Sequence, residues 1–269
     1  MTLEKKLITI GVLSLQGSYI EHISHLEALF KDLRTDNKYD SVYDFKVKEV
    51  KNIEDLDGLS GLIFPGGEST TMSILLQRNK LLEPIRELVQ IKKLPCWGTC
   101  AGLILLSNQI SNTKIELGGT NIEKSMKYRV IGGLNVQIQR NSFGRQLDSF
   151  NKKFILDKFS GDLKNCEFSC LFIRAPVIKK ILPINSENHD EKNNDVFVEH
   201  DFENGIVRAV ELDKNNKSVP EILLKINENE ENELIVAIKQ DNIFGTSFHP
   251  ELVIGDYRMH KWFLDEFVL

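Results

Sequence analysis

The first hundred residues alternate between two hydrophobic patterns. Runs of consecutive apolar residues at 7–15, 61–64 and 94–97 are typical of strands buried on both faces of a sheet. Apolar residues at helical spacing lie between these runs and predict helices at 20–33, 69–76 and 83–91, with a further helix beginning at Leu103. Strands that alternate with helices in this way predict an α/β fold with a parallel sheet and right-handed crossovers.

The first helix has a clear apolar face. We expect it to pack on the sheet through Ile20, Ile23, Leu26, Leu29, Phe30 and Leu33. His22 and His25 lie one turn apart on the same helix and are spaced as a pair of ligands could be. We assign them instead to a solvated flank of the helix.

Beyond residue 109 the pattern changes to alternating apolar and polar residues. A strand predicted at 134–140 ends in Arg140, and a strand at 168–173 is followed by Arg174. Further strands are predicted at 205–212 and 234–239, which we expect to pair, and at 243–247, before a closing helix at 257–268.

Two segments in this half are rich in Asn, Glu, Asp and Lys. Residues 185–204 and 213–233 have few apolar side chains to bury, so we expect mobile surface insertions there. With 269 residues, of which 41% are hydrophobic, the chain is long enough to form its own core. We therefore predict a single domain over 1–269 that carries these two insertions.

Charge and cysteine content narrow the functional class. The net charge is −5 and the pI is about 5.8, so no basic face indicates binding to nucleic acid or to an anionic membrane. No apolar run approaches the length of a membrane span. The four cysteines form two Cys-x-x-x-Cys pairs, but both lie in or beside apolar strand-like runs, which disfavours a zinc site. A free catalytic thiol suits a reducing compartment, so we expect a cytoplasmic protein. We also expect neither a metal nor a cofactor.

The segment Gly98-Thr99-Cys100-Ala101-Gly102 carries the candidate nucleophile. It has the form Gly-x-Cys-x-Gly between a predicted strand and a predicted helix, which is the cysteine version of the nucleophile elbow. A cysteine at a helix N-terminus is favoured as the reactive thiolate. The same residues also fit a buried structural cysteine. A catalytic assignment therefore requires a base elsewhere in the chain that can take the proton of Cys100.

Phe248-His249-Pro250-Glu251 provides that base. A nucleophilic cysteine needs a base to take its proton, and the base needs an acceptor to fix its orientation. His249 and Glu251 are held two residues apart across a proline, so one loop after an apolar strand can supply both groups. A distant histidine and acid that accompany a cysteine form a known nucleophile pattern.

Three other positions indicate substrate binding. Pro65-Gly66-Gly67 follows a buried strand, and its backbone amides could form an oxyanion hole, although an ordinary strand-to-helix loop explains the same residues. We expect Ser69 or Thr70 to cap the helix that follows. The two arginines that follow strands suit a carboxylate-bearing substrate, although exposed arginines at strand ends are an equally good explanation.

Taken together, these blocks resemble the class I glutamine amidotransferases, and within them the glutaminase subunit of pyridoxal 5′-phosphate synthase. Cys100 and His249-x-Glu251 carry the resemblance to the class. The narrower resemblance rests on blocks that occur in the family's order, which are Gly11 to Gly17, Pro65 to Thr71, Gly98 to Gly102, Arg140-Asn141-Ser142-Phe143-Gly144-Arg145-Gln146, Phe172 to Pro176 and Phe248 to Leu252.

The resemblance implies a three-layer class I glutamine amidotransferase fold, with a mostly parallel central sheet and helices on both faces. It implies hydrolysis of L-glutamine to glutamate and ammonia through a thioester on Cys100, with His249 moving the proton and Glu251 orienting His249. It places Gly66, Gly67, Glu68, Arg140, Ile173 and Arg174 at the glutamine site, with the Gly67 and Ala101 amides as oxyanion donors.

The implied partner is the barrel-shaped synthase subunit, which receives the ammonia in a hetero-oligomer and builds the vitamin B6 cofactor. Family members have little activity until docked, and the Gln16-Gly17 turn lies near that interface. The chain departs from compact members by its two insertions and by extra residues around 34–44 and 119–131, which interrupt no motif.

Three alternatives stay open at this point. The glutaminase of another amidotransferase, such as that of histidine biosynthesis, would keep the triad but not the Gly-Gly-Glu-Ser-Thr block. A scaffold that binds the synthase without catalysis would not need an intact triad. A cysteine peptidase would share the elbow but would leave the paired arginines unexplained.

Overall fold

The structure is a computed structural model that describes residues 4–111, 128–140, 149–156, 159, 166–183, 200–201, 206–227 and 233–269. Its strands are β1 (Lys6–Leu13), β2 (Tyr43–Val50), β3 (Gly61–Phe64), β4 (Cys96–Thr99), β5 (Ser107–Ser111), β6 (Leu134–Gln139), β7 (Ser149–Ile155), β8 (Glu167–Ile173), β9 (Val177–Ile181), β10 (His200–Asp201), β11 (Ile206–Arg208), β12 (Glu221–Asn227), β13 (Glu233–Gln240) and β14 (Ile243–Thr246).

The α-helices in the same residues are α1 (Tyr19–Leu33), α2 (Asn37–Asp40), α3 (Ser69–Arg78), α4 (Leu82–Arg86), α5 (Ala101–Leu106) and α6 (Arg258–Phe263). Turns of π-helix extend α4 over Glu87–Ile91 and α6 over Leu264–Val268. Short 3₁₀ turns lie at Ile53–Leu56 and Pro250–Leu252.

Twelve of the described strands form one mixed sheet. Five neighbouring strands, in the order β14-β4-β3-β1-β2, are all parallel, as the alternation of strands and helices predicts. Beyond β14 the sheet continues through β13, β9, β6, β5, β11 and β10, where most pairings are antiparallel. β7 and β8 pair antiparallel with each other and form a separate two-stranded sheet.

Side chains of the parallel strands alternate between two apolar clusters, one on each face of the sheet. In β3, Leu62 and Phe64 belong to one cluster while Ile63 belongs to the other. Helices α3, α4 and α5 cover the first face, whereas α1, α6 and the β7–β8 hairpin cover the second. The predicted α/β architecture with helices on both faces of a central sheet is thereby confirmed.

Two details of the sequence interpretation were wrong. Ile20 was assigned to the apolar face of α1, but its side chain is 60% exposed. The strands near 205–212 and 234–239 do not pair, because β11 lies between β10 and β5 while β13 contacts β9, β12 and β14. The elbow helix α5 ends at Leu106, and β5 begins at the next residue.

The predicted insertions are only partly within the described residues. Of 185–204, the structure describes only His200–Asp201, which pair with β11. Within 213–233, residues Glu221–Asn227 form β12, a strand that pairs with β13 over most of its length. Apolar side chains of β12 such as Ile226 pack in the second core cluster, so this part of the segment is integrated into the fold. The additional residues expected at 119–131 lie outside the described residues up to 127.

Candidate active site

The elbow forms as the sequence predicts, with Cys100 between β4 and α5. Its backbone has φ of 47° and ψ of −98°, a strained conformation for a residue with a side chain. The flanking glycines permit the tight turn, because a Cβ on Gly98 would lie 2.5 Å from the backbone of Gly102 and one on Gly102 would lie 2.0 Å from the carbonyl oxygen of Phe64. The side chain of Cys100 is thereby presented at the carboxyl end of β4.

Strand register brings the second half of the candidate triad to the same place. β14 runs parallel to β4, and Thr246 lies opposite Thr99, so both strands end at the same level. The backbone amide of Cys100 donates a hydrogen bond to the Thr246 carbonyl at 2.8 Å. The loop after β14, which carries His249, therefore starts beside the elbow.

His249 connects Cys100 to Glu251. Its Nδ1 atom lies 2.8 Å from Oε1 of Glu251, and the interaction of the ring with the Cys100 side chain raises the pKa of the imidazole. All three side chains are buried or nearly so, with relative exposures of 6% for Cys100, 6% for His249 and 2% for Glu251. The structure thus brings together the three residues that the sequence predicted as nucleophile, base and orienting acid.

The charges in this group depend on the partners of each side chain. Burial would lower the pKa of His249, but hydrogen bonds with Cys100 and Glu251 outweigh burial and raise it to about 10. Burial would likewise raise the pKa of Glu251, but the imidazoles of His22 and His249 and the hydroxyl of Ser18 outweigh burial and lower it to about 2. At neutral pH the site therefore holds an imidazolium beside a carboxylate.

Two neighbours of Glu251 were not predicted from the sequence. Ser18, the residue before α1, donates its hydroxyl to Glu251 Oε1 at 2.6 Å and does not cap its own helix. Thr99 Oγ1 lies 3.4 Å from the same oxygen. Ser18 and Glu251 are 233 residues apart in the chain, so neither local pattern nor spacing indicated the contact.

The assignment of His22 and His25 to a solvated flank of α1 was wrong. His22 has no exposed surface and His25 is only 7% exposed, because both face α6 and the sheet. The signal for His22 was present in the sequence, since it shares the spacing of Leu26, Leu29 and Leu33, the buried face of α1.

The loop after β3 lies against the ring of His249. A Cβ on Gly66 would approach the His249 ring to 2.1 Å, so only glycine permits this close contact. The amide of Glu68 donates a hydrogen bond to the side-chain oxygen of Gln16 at 2.9 Å, which connects the loop to the turn before α1.

The expected cap of α3 by Ser69 or Thr70 was wrong. Glu68 is the capping residue, and its carboxylate accepts hydrogen bonds from the amides of Thr70 and Thr71 at 3.0 and 2.6 Å. These bonds outweigh partial burial and lower the pKa of Glu68. A glutamate performs the capping because it is the residue whose extended backbone immediately precedes the helix.

The two arginines follow two different strands. Arg140 follows β6, and its guanidinium lies 3.4 Å from Glu68 Oε1 and 3.2 Å from Thr70 Oγ1, beside the start of α3. Ile173 ends β8, and its carbonyl lies 3.9 Å from the sulfur of Cys100. Arg174 follows with a left-handed φ of 46° and an exposed side chain. Residues 141–146 of the block that starts at Arg140 lie outside the described residues.

The remaining cysteines differ from Cys100 in their surroundings. None of the four cysteines, all of which lie in the described residues, forms a disulfide. Burial raises the pKa of Cys96 and raises that of Cys170 to about 12, so both of these thiols stay protonated. Within the part of the chain that the structure describes, no three His, Cys, Asp or Glu side chains are arranged to hold a metal ion. No helix in the described residues has the length and apolar character needed to cross a membrane.

A solved structure shares both the fold and a substantial part of the sequence. A crystal structure of a glutamine amidotransferase superposes with a TM-score of 0.62 and 29% identity, over 95% of this chain and 97% of that one. The fold and the cysteine site thus define a chain of the glutamine amidotransferase class.

The family model of the SNO glutamine amidotransferases matches residues 12–207 and 195–269, and the chain belongs to this family. Among curated relatives, it is 37% identical to pyridoxal 5′-phosphate synthase subunit SNO1 of Saccharomyces cerevisiae, over 98% of this chain and 95% of that protein. It is 31% identical to pyridoxal 5′-phosphate synthase subunit PdxT of Clostridium acetobutylicum, over 95% and 98% of the two chains.

Proposed function

We propose that this chain is the glutaminase subunit of a pyridoxal 5′-phosphate synthase. It hydrolyses L-glutamine to L-glutamate and ammonia, and the ammonia passes to a separate barrel-shaped synthase subunit. The names of the relatives support the assembly, because they are called synthase subunits and align over nearly their whole length. The observation that carries the chemistry is the continuous contact from Cys100 through His249 to Glu251.

The first half of the reaction acylates the enzyme. The Cys100 thiolate attacks the side-chain amide carbon of glutamine, and the carbonyl oxygen takes up the negative charge. The amides of Gly67 and Ala101 donate to that oxygen, while the His249 imidazolium gives its proton to the leaving nitrogen. Ammonia departs and a γ-glutamyl thioester remains on Cys100.

The second half releases the product. His249, now neutral, takes a proton from water, and the resulting hydroxide attacks the thioester carbon. The carbon–sulfur bond breaks, glutamate leaves, and the thiolate and imidazolium are restored. Glu251 keeps its charge throughout and holds the Nδ1 side of His249, so that Nε2 serves as the proton carrier.

The remaining predicted residues hold the substrate. Gly66, Gly67 and Glu68 line one side of the glutamine site, and Arg140, Ile173 and Arg174 hold its amino-acid end. A guanidinium suits the α-carboxylate, and the Glu68 carboxylate suits the α-ammonium group. The position of Ile173 supports this arrangement, since its carbonyl lies 3.9 Å from the nucleophilic sulfur.

The experiment that tests the proposal measures glutamate release from glutamine by the purified chain, alone and with a pyridoxal 5′-phosphate synthase barrel subunit. We expect strong stimulation by the subunit and no activity in Cys100→Ala under either condition. Activity that does not respond to the subunit would assign the chain to another amidotransferase partner. If Cys100→Ala still supported full glutamine-dependent synthesis of the cofactor, the chain would be a scaffold that binds the synthase without catalysis.

A further inference from the structure

A cluster of buried aromatic and imidazole rings lies behind Glu251, on the side away from Cys100. His22 of α1 and His260 of α6 contact each other there, with His22 Nδ1 and His260 Nε2 at 2.9 Å. Trp97 of β4 packs against both rings at centroid distances of 5.4 and 4.9 Å. Neither His22 nor His260 has any exposed surface, so the orientation of both rings is fixed by packing.

His22 faces Glu251 with its other nitrogen. Its Nε2 atom lies 3.6 Å from Glu251 Oε2 and 3.2 Å from the hydroxyl oxygen of Thr99. The second carboxylate oxygen, Oε1, already accepts from His249 and Ser18, and Thr99 Oγ1 lies 3.4 Å from it. Oε2 has no hydrogen bond in the described structure, and the imidazole of His22 faces it at 3.6 Å.

The hydrogen positions in this cluster follow from the neutral state of both histidines and from the unpartnered Nδ1 atom of His260. Burial lowers the pKa of His22 to about 4 and lowers the pKa of His260 well below its ordinary value, so each neutral ring carries one proton. Nδ1 of His260 is buried without a partner, and a bare nitrogen there costs less than an orphaned N–H. His260 therefore donates from Nε2 to Nδ1 of His22, which leaves the His22 proton on Nε2, where it faces the carboxylate.

The opposite tautomers would be unfavourable at both ends. They would bury an unpaired N–H on His260 and would direct the lone pair of His22 Nε2 at an ionised carboxylate. With the proton on His22 Nε2, Thr99 can accept from His22 while its own hydroxyl donates to Glu251 Oε1. The chain of hydrogen bonds then runs from His260 through His22 and Thr99 to Oε1 of Glu251, and the Nε2–H of His22 also faces Oε2 of the same carboxylate at 3.6 Å.

We propose that His22 is a positioning residue for the catalytic group: its Nε2–H, oriented by His260, holds the Glu251 carboxylate in place for His249. The inference rests on the proposed function, because Glu251 matters only if His249 is the base. His22 does not touch the substrate site, so it acts on the turnover step and not on glutamine binding.

The principal test is His22→Leu, measured as glutamate release with the synthase barrel subunit present. We expect kcat to fall about 10-fold, with KM for glutamine within about 2-fold of the wild type, because one donor to a charged group is lost. The titratable side chains that act on the pKa of Glu251 are His22 and His249. His25 senses the charge of Glu251 but makes no hydrogen bond with the carboxylate in the described structure. Loss of the His22 donor raises the pKa of Glu251, so the acid limb of kcat/KM moves to higher pH.

Two further variants separate positioning from packing. His22→Gln places an amide donor near the former Nε2 position, and we expect it to restore most of kcat and the original acid limb. His25→Leu makes the same change one turn along α1, where the ring packs on His260, and should leave kcat within about 2-fold. Circular dichroism and the thermal midpoint of each variant check that the fold is retained.

If His22→Leu does not fold, Thr99→Val provides the test in its place. It removes only the relaying hydroxyl, and we expect kcat to fall about 3-fold with KM unchanged. The inference is wrong if folded His22→Leu, or Thr99→Val in its place, retains the wild-type kcat and pH profile. It is also wrong if His22→Gln is no better than His22→Leu. Failure of the proposed function looks different, since the wild type itself would then release no glutamate or Cys100→Ala would stay active.

Discussion

Two corners of the candidate site differ in how far they are formed in the isolated chain. The catalytic corner comprises Cys100, His249, Glu251 and Ser18, and the substrate corner comprises Glu68, Arg140, Ile173 and Arg174. In the catalytic corner Cys100, His249 and Glu251 are buried, and each is hydrogen-bonded within the corner or to the adjoining strand end. In the substrate corner the side chains of Glu68 and Arg140 are 50% and 17% exposed, and Arg174 is exposed as well.

The difference follows from the elements that carry the residues. The triad lies at the ends of adjacent parallel strands, whose register fixes the distance between Cys100 and the His249 loop. The residues proposed to bind substrate come from the start of α3, the end of β6 and the separate β7–β8 hairpin. We therefore expect changes in the catalytic corner to act on kcat, and changes in the substrate corner to act on KM.

Cys100→Ala should have the largest effect. Without the sulfur no thioester forms, so glutamate release should fall by roughly 10⁴-fold or more, to the background of the assay. The hydrogen bond to Cys100 raises the pKa of His249, so that pKa should fall in the variant, which an NMR titration of the histidines would measure. Cys96→Ala is the matched control, since it removes a buried thiol four residues earlier and should lower stability while leaving kcat intact. Glutamate release by Cys100→Ala above the background of the assay would contradict the role of Cys100.

Glu251→Gln should be the next most severe change. The amide cannot stabilise an imidazolium and can donate its own N–H to Nδ1, which fixes the wrong tautomer of His249. We expect kcat to fall by roughly 10³-fold with little change in KM, as measured by steady-state glutamate release with the barrel subunit. A variant whose main defect was in KM would show that Glu251 belongs to substrate binding.

Gly66→Ala tests how closely the loop after β3 is fitted to the base. The new Cβ would lie 2.1 Å from the His249 ring, so the ring or the loop must move. Displacement of about 1 Å at a catalytic group can reduce turnover about 10²-fold, and we expect a loss in kcat of that order. Gly58→Ala is the control, because its Cβ would meet nothing within 4 Å and it lies outside the site, so it should affect stability only. A Gly66→Ala protein with normal kcat would show that the loop moves away during turnover.

The catalytic corner was predictable because its signals are local. A strand, Gly-x-Cys-x-Gly and an apolar helix start define the elbow within a dozen residues, and His249 and Glu251 share one loop. Parallel β-strands bring their carboxyl ends to one edge, so the meeting of the two loops followed from the predicted fold. The arginines were also predicted, because each follows a strand that alternates apolar and polar residues.

The surrounding hydrogen-bond network was not predictable, because its members are brought together only by tertiary packing. Ser18 directly precedes α1, yet its hydroxyl binds an acid that is 233 residues away in the chain. His22 was assigned to the solvent by its polarity, although its spacing matched the buried leucines of α1. The partners of β11 and β13 depend on how the antiparallel half of the sheet closes, and short alternating strands do not specify that order.

Arg174→Ala should have the smallest effect and should act on binding. The residue follows Ile173, whose carbonyl lies 3.9 Å from the Cys100 sulfur, and has a left-handed φ of 46°. Alanine has the same backbone restriction as arginine there, so the substitution tests the side chain alone. We expect KM for glutamine to rise about 10-fold while kcat stays within about 2-fold, because a guanidinium proposed to hold the α-carboxylate would contribute equally in the ground and transition states.

Arg174→Lys sharpens the same measurement, since it keeps the charge but loses the planar pair of donors, and should give an intermediate KM. Lys180→Ala, an exposed cation of β9, controls for the loss of one positive charge. If Arg174→Ala lowered kcat and left KM unchanged, the arginine would act on the reacting groups, and the two corners would have to be treated as one functional unit.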